Sequence, residues 1–305
     1  MGTVDASGLR TALKGGGKAP LIIDVLFEEQ SALRRIKGAA GACVYNVTFL
    51  DEVAALVPDR STPVVVYGAD GHDHSAHAAR DKMLRAGYAD VRLLEGGIAA
   101  WAESGFPMEG SDLAADLDPW DRIDPVVCPY KAVPGESTIQ WWGRNHSGAH
   151  HGYLNLASGS VDLDQDLGLK GELILDMRSI TNLDLEGDDM RPVLEGHLRS
   201  DDFFFTDKFP QARLSFGGVH ADVPAGSPNY DLLGKLALRG VKAPLAVPAT
   251  LGHLAEGRLA LSARFEWDRT AWGVVYGSGR FFKFLGYHVV YDLVGVQARV
   301  VLEPS

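Results

Sequence analysis

The chain has 305 residues, 46% hydrophobic and 23% charged, with a net charge of −11 at neutral pH. That length suits two domains of ordinary size, each able to bury a core. The acidic balance argues against non-specific binding to nucleic acid or an anionic membrane, both of which need a basic face. Two cysteines, Cys43 and Cys128, leave no room for a disulfide framework or a thiolate zinc cluster.

No positively charged start followed by an apolar run and a small-residue cleavage site opens the chain, so a cytoplasmic location is expected. The first apolar run, LIIDVLF at 21–27, is short and interrupted by Asp24, far from the roughly 20 residues that span a bilayer. An integral membrane protein is therefore not expected. Residues 1–110 alternate short apolar runs of buried-strand type, LIIDVLF and PVVVYG at 63–68, with a helical segment at 74–88. Such alternation predicts an α/β domain on a parallel sheet.

Five segments of this half, LIIDV, RIKGAAGA at 35–42, VVVYG, the helix ending AGY, and VRLLEGGIAAWAESGFP at 91–107, resemble a rhodanese domain. The resemblance implies a persulfide-carrying cysteine directly after VVVY, where this chain has Gly68. The loop that follows carries Asp70, Gly71, His72, Asp73 and His74 and no Arg or Lys. A persulfide or phosphate needs backbone N–H groups and positive charge around it, which two carboxylates oppose. The Arg that commonly follows the first strand's Asp is replaced by Leu26. These departures predict a catalytically silent domain with no cofactor, free to dock a protein partner or regulate. Cys43, the one thiol of this half, reads first as a buried small hydrophobe and second as a non-standard nucleophile. His72, His74 and His77 read as a solvated helix start ahead of a metal site, so no metal is expected.

Residues 111–135 read as an acidic connector, with five Asp within 111–124 and Trp120 as a candidate anchor. From 136 to 305 the period is two. In 259–268, Leu259, Leu261, Ala263, Phe265 and Trp267 share one face, against Ser262, Arg264, Glu266 and Asp268 on the other. Val294, Val296, Ala298, Val300 and Leu302 repeat this, as do Leu173, Leu175 and Met177, Leu214 and Phe216, and Leu236 and Leu238. Such strands between Gly, Pro, Asn and Asp turns predict an antiparallel sandwich or barrel.

Within this half, WWGRNHSGAHHG at 141–152, LILDMRSI at 173–180, GHLRSDDFFFTDKFPQARLSF at 196–216, GKLALRGVKAPLAV at 234–247 and LSARFEWDRTAWGV at 261–274 resemble, in order, the YceI-like family. The resemblance implies a lipocalin-like β-barrel whose elongated apolar cavity holds a polyisoprenoid or other long-chain amphiphile. Candidate wall residues are then Trp141, Leu173, Leu175, Met177, Phe204, Leu214, Phe216, Leu236, Leu238, Leu261, Phe265, Trp267, Val294 and Val296. At roughly 0.8 kcal/mol per buried methylene, ten in a tunnel supply about 8 kcal/mol before ordering costs. Of Phe203, Phe204 and Phe205, three adjacent aromatics, at least one faces a mouth or covering helix. His150, Asp176, Arg178 and His197, with Arg199, are candidates for holding a polar head group. The expected function is sequestration or delivery of a long-chain lipid. A sulfurtransferase with an unusual nucleophile and a scaffold with a filled barrel are the alternatives.

Overall fold

The computed structural model describes residues 2–15, 19–115, 128–224 and 226–305. The chain divides into two compact units, Met1–Pro119 and Trp120–Ser305. Most of the expected acidic connector, with Trp120, lies outside the described residues. No described helix is long and apolar enough to cross a membrane.

In the first unit, β1 (Thr3–Val4), β2 (Leu21–Asp24), β4 (Ala40–Gly41), β5 (Val64–Tyr67) and β6 (Val91–Leu94) form one parallel sheet, ordered β1-β6-β5-β2-β4. Helices α1 (Ala6–Lys14), α2 (Glu28–Leu33), α3 (Phe49–Leu56), α4 (Ser75–Arg85) and α5 (Gly97–Glu103) connect them, and β3 (Arg35–Ile36) pairs with β7 (Met108–Glu109) as a separate ribbon. Successive residues of a strand face opposite sides, so a sheet covered on both faces needs apolar residues at every position. Ile23, Val64 and Val66 accordingly pack with Phe49, Val53 and Met83, while Ile22, Val65 and Tyr67 pack with Leu9, Ile98 and Trp101. Asp24 is fully buried at the end of β2. It accepts the Tyr67 hydroxyl at 2.8 Å and the Leu26 N–H at 3.0 Å, and burial pushes its carboxyl above the ordinary range.

The second unit is an antiparallel barrel of β8 (Pro129–Ala132), β9 (Thr138–Arg144), β10 (Ala149–Leu163), β11 (Leu169–Asn182), β12 (Gln211–Gly218), β13 (Tyr230–Leu238), β14 (Val241–His253), β15 (Leu259–Asp268) and β16 (Leu293–Pro304). Its nine strands occupy eight positions, because β8 and β9 both bridge β16 and β10, at opposite ends. Between them the ladder is maintained locally: the Val133 N–H donates to the Val301 carbonyl and the Val301 N–H donates to the Ser137 hydroxyl. The β11–β10 pairing closes the ring, which leaves no free edge among the described residues. Strand β8 falls inside the stretch expected as connector, so the barrel begins earlier than position 136. Four residues with a proline at their head are too short to show a period.

Inward-facing residues pack together in one half of the barrel. Tyr130, Val161, Leu163, Leu169, Tyr230, Leu251, Leu259 and Leu302 pack there into one cluster. The other half is covered by α6 (Met190–Arg199) and the turn after it. That turn buries Phe203 and Phe204 against Leu198, Leu236 and Trp272. Phe205, at φ +48°, reverses the chain so that its carbonyl accepts the N–H groups of Lys208 and Phe209.

Candidate functional site

Beneath α6 lies a cavity of about 120 Å³ lined only by apolar and aromatic side chains. Trp141, Leu175, Met177, Phe204, Leu214, Leu236, Leu238, Phe265, Trp267, Val294 and Val296 all contribute to its wall. Three further expected wall residues do not. Leu173, Phe216 and Leu261 belong to the packed half, because a period of two fixes which way a side chain faces but not its depth along the barrel axis.

Ile139, Leu154, Ile180, Ala212 and Leu245 complete the wall and were not anticipated. Ile180 was hidden by a register shift. Tyr153 pairs with Thr181 while Asn155 pairs with Asp176, so β11 carries extra residues against β10. The Ser179 hydroxyl accepts the Asn155 N–H at 2.8 Å inside this bulge. Ile180 turns inward there, out of step with Leu175 and Met177.

The apolar cavity shares Trp141, Phe204 and Val294 with a more polar vestibule of about 190 Å³. His150 and His197 both line this vestibule. Each is held by its own carboxylate: His150 Nδ1 lies 2.7 Å from Asp184 Oδ2, and His197 Nε2 lies 3.0 Å from Asp202 Oδ2. The His197 ring also meets Phe203 and Tyr276 edge-on at 4.9 and 4.7 Å. Burial alone would raise the Asp184 carboxyl, but the His151 N–H, His150 and Asn182 hydrogen bonds hold it down at about 2.

Asp176 and Arg178 are not part of the vestibule. They alternate with Leu175 and Met177 and so face outward, where Asp176 accepts the Arg178 N–H. Arg199 instead ties α6 to β11 by donating to the Ile180 carbonyl at 2.7 Å.

Arg269 was missed by sequence reasoning and organises the rim. It is 2% exposed and donates to the carbonyls of Tyr291, Val274 and Val290 at 3.1, 2.7 and 3.0 Å. Its guanidinium lies 5.9 Å from the Phe203 ring centroid, with Asp292 at 3.5 Å. A buried arginine in DRTAWG has no periodic signature, which explains the omission.

In the first unit, the loop after β5 uses its own carboxylates as anions. Asp73 accepts the Ala69 and Ser75 N–H groups at 2.9 and 2.8 Å and the Ser75 hydroxyl, and Asp70 accepts those of His72 and Asp73 at 2.7 and 2.9 Å. A Cβ placed on Gly68 would fall 2.0 Å from Asp73 Oδ2. Gly97, at φ +59°, lies so close to the loop that a Cβ there would meet the Gly68 carbonyl at 2.6 Å. Cys43 is buried after β4. The His74 and His77 rings lie 5.7 Å apart, and no three His, Cys, Asp or Glu among the described residues are arranged to hold a metal ion.

Among solved structures, Burkholderia cenocepacia BcnA is 21% identical over 56% of this chain and 98% of its own, with a TM-score of 0.44. A polyisoprenoid binding domain from Saccharophagus degradans is 16% identical over 58% of this chain and 98% of its own, at 0.42. The Alr3790 protein from Anabaena is 32% identical over 35% of this chain and 91% of its own, at 0.32. No curated protein matches the chain. A rhodanese-like domain is matched over residues 6–104 and a YceI-like domain over residues 130–302. The second match spans more than half of the sequence and coincides with the barrel, and the chain therefore belongs to the YceI-like family, with a rhodanese-like domain ahead of the barrel.

Proposed function

We propose that the barrel holds the tail of a long-chain amphiphile, a polyisoprenoid or fatty-acid derivative, and keeps it from water for sequestration or delivery. The observation that carries this is the apolar cavity beneath α6, whose every lining side chain is apolar or aromatic. Burial of hydrocarbon there needs no head-group chemistry for affinity. The polar end of the cargo occupies the vestibule, which His150 and His197 line, each with one ring nitrogen engaged by Asp184 or Asp202.

In the same proposal the rhodanese-like domain transfers no sulfur and serves as a docking or regulatory module. Asp73 takes up the space and the N–H groups that a bound persulfide would need. Titration with cis-parinaric acid tests the barrel: saturable one-site binding competed by prenyl alcohols is expected, and absence of any saturable binding overturns the carrier reading. Sulfur transfer from thiosulfate to cyanide that disappears on Cys43→Ser would overturn the second half.

A further inference from the structure

Asp268 and Asp292 bracket a stretch of the barrel with no carboxylate in it, in a chain whose net charge is −11. Both flanking aspartates are paired with Arg280, through Asp268 Oδ2 at 2.5 Å and Asp292 Oδ2 at 2.8 Å, and Asp292 also lies 3.5 Å from Arg269. The base of the stretch is firmly built: Ser278 is fully buried, the Val290 N–H donates to the Gly277 carbonyl, and Arg269 binds the carbonyls of Val290 and Tyr291. Its tip is the opposite. Phe281, Phe284 and Tyr287 are 57%, 103% and 67% exposed, with Lys283 between them. A run of exposed aromatics on an anchored loop, one of them fully exposed, is costly in water and marks an interaction surface.

Position identifies the partner. Tyr276, Val290 and Tyr291, at the two ends of this loop, line the vestibule that shares Trp141, Phe204 and Val294 with the apolar cavity. Helix α6, on the same rim, exposes Met190 and Val193. We propose that the aromatic tip at 281–287 docks the barrel onto a lipid bilayer, with the phenyl rings below the head groups and Lys283 at the phosphates, so that cargo crosses between membrane and cavity without meeting water. Aromatic rings and a lysine suit that interface, and residues 269–291 bring no carboxylate of their own to the lipid phosphates.

The cargo-transfer role rests on the carrier reading, whereas docking is measured separately. The full chain and a Phe281→Ser/Phe284→Ser variant are sedimented with phosphatidylcholine vesicles, and both are titrated with cis-parinaric acid without vesicles. Neither phenylalanine lines the cavity or the vestibule, so solution binding is expected to be unchanged. Each ring inserted contributes roughly tenfold or more to partitioning, so the double variant is expected to lose at least about 100-fold. Wild-type chain that binds parinaric acid but stays in the supernatant overturns docking and leaves the carrier reading intact. Self-association of the wild type, lost in the double variant and with no vesicle binding, overturns it in favour of a second copy as the partner.

Discussion

Filling the cavity should abolish binding without unfolding the barrel. Leu214 on β12 stands opposite Leu236 in the ladder, and Leu245 on β14 stands opposite Gly234; both line the cavity. Changing both to Phe introduces about three carbons at each site and excludes about four chain methylenes of cargo. At ~0.8 kcal/mol per methylene the loss is about 3 kcal/mol, or roughly 100-fold in Kd. In a packed core the same enlargements would each cost about 1–3 kcal/mol of stability; into an existing void they should cost less than about 1 kcal/mol in total. Parinaric acid titration reads the first quantity and the urea midpoint the second. Undiminished affinity would place the ligand elsewhere, and a loss of several kcal/mol in stability would show that this half of the barrel is packed like the other.

Three other outcomes follow from named contacts. The Asp184 carboxyl, held at about 2 against an ordinary 3.8, contributes stability that is complete above the ordinary value and disappears as pH falls from about 4 to about 2. Asp184→Asn should remove about 2 kcal/mol at pH 7 and flatten that acid limb, read by urea unfolding across pH; an unchanged limb would refute the assignment. Arg269→Leu should destabilise the second unit by about 3 kcal/mol or more, since three carbonyls lose a charged donor, and a calorimetric transition within about 1 kcal/mol of wild type would contradict this. Gly68→Cys should cost about 1–3 kcal/mol through the clash with Asp73 and Ser75 and confer no thiosulfate activity; an undestabilised variant would refute the clash.

What could be read from sequence divides along physical lines. Continuous apolar runs such as VVVY report a strand covered on both faces, and strict alternation in 259–268 reports one covered on a single face; both came out as expected. Depth along the barrel did not, because Leu173 and Leu175 have the same periodic signal although one packs the closed half and the other borders the cavity. A bulge erased the signal for Ile180, and Asp176 and Arg178 were placed in the site although the alternation that puts Leu175 and Met177 inside puts them outside. His150 and His197 reach one vestibule through strand pairing and the seating of α6, neither of which local sequence encodes. Arg269, two of whose three carbonyl partners lie some twenty residues away, left no periodic pattern.

The most direct measurement is mass spectrometry of an organic extract of the purified full-length chain, beside native mass spectrometry that counts bound ligand per molecule. A prenyl or acyl species near one per chain, depleted in the Leu214→Phe/Leu245→Phe variant, is the expected result. A wild-type protein that emerges empty and takes up neither prenyl nor acyl lipid would contradict the carrier reading and leave a barrel that serves as a scaffold.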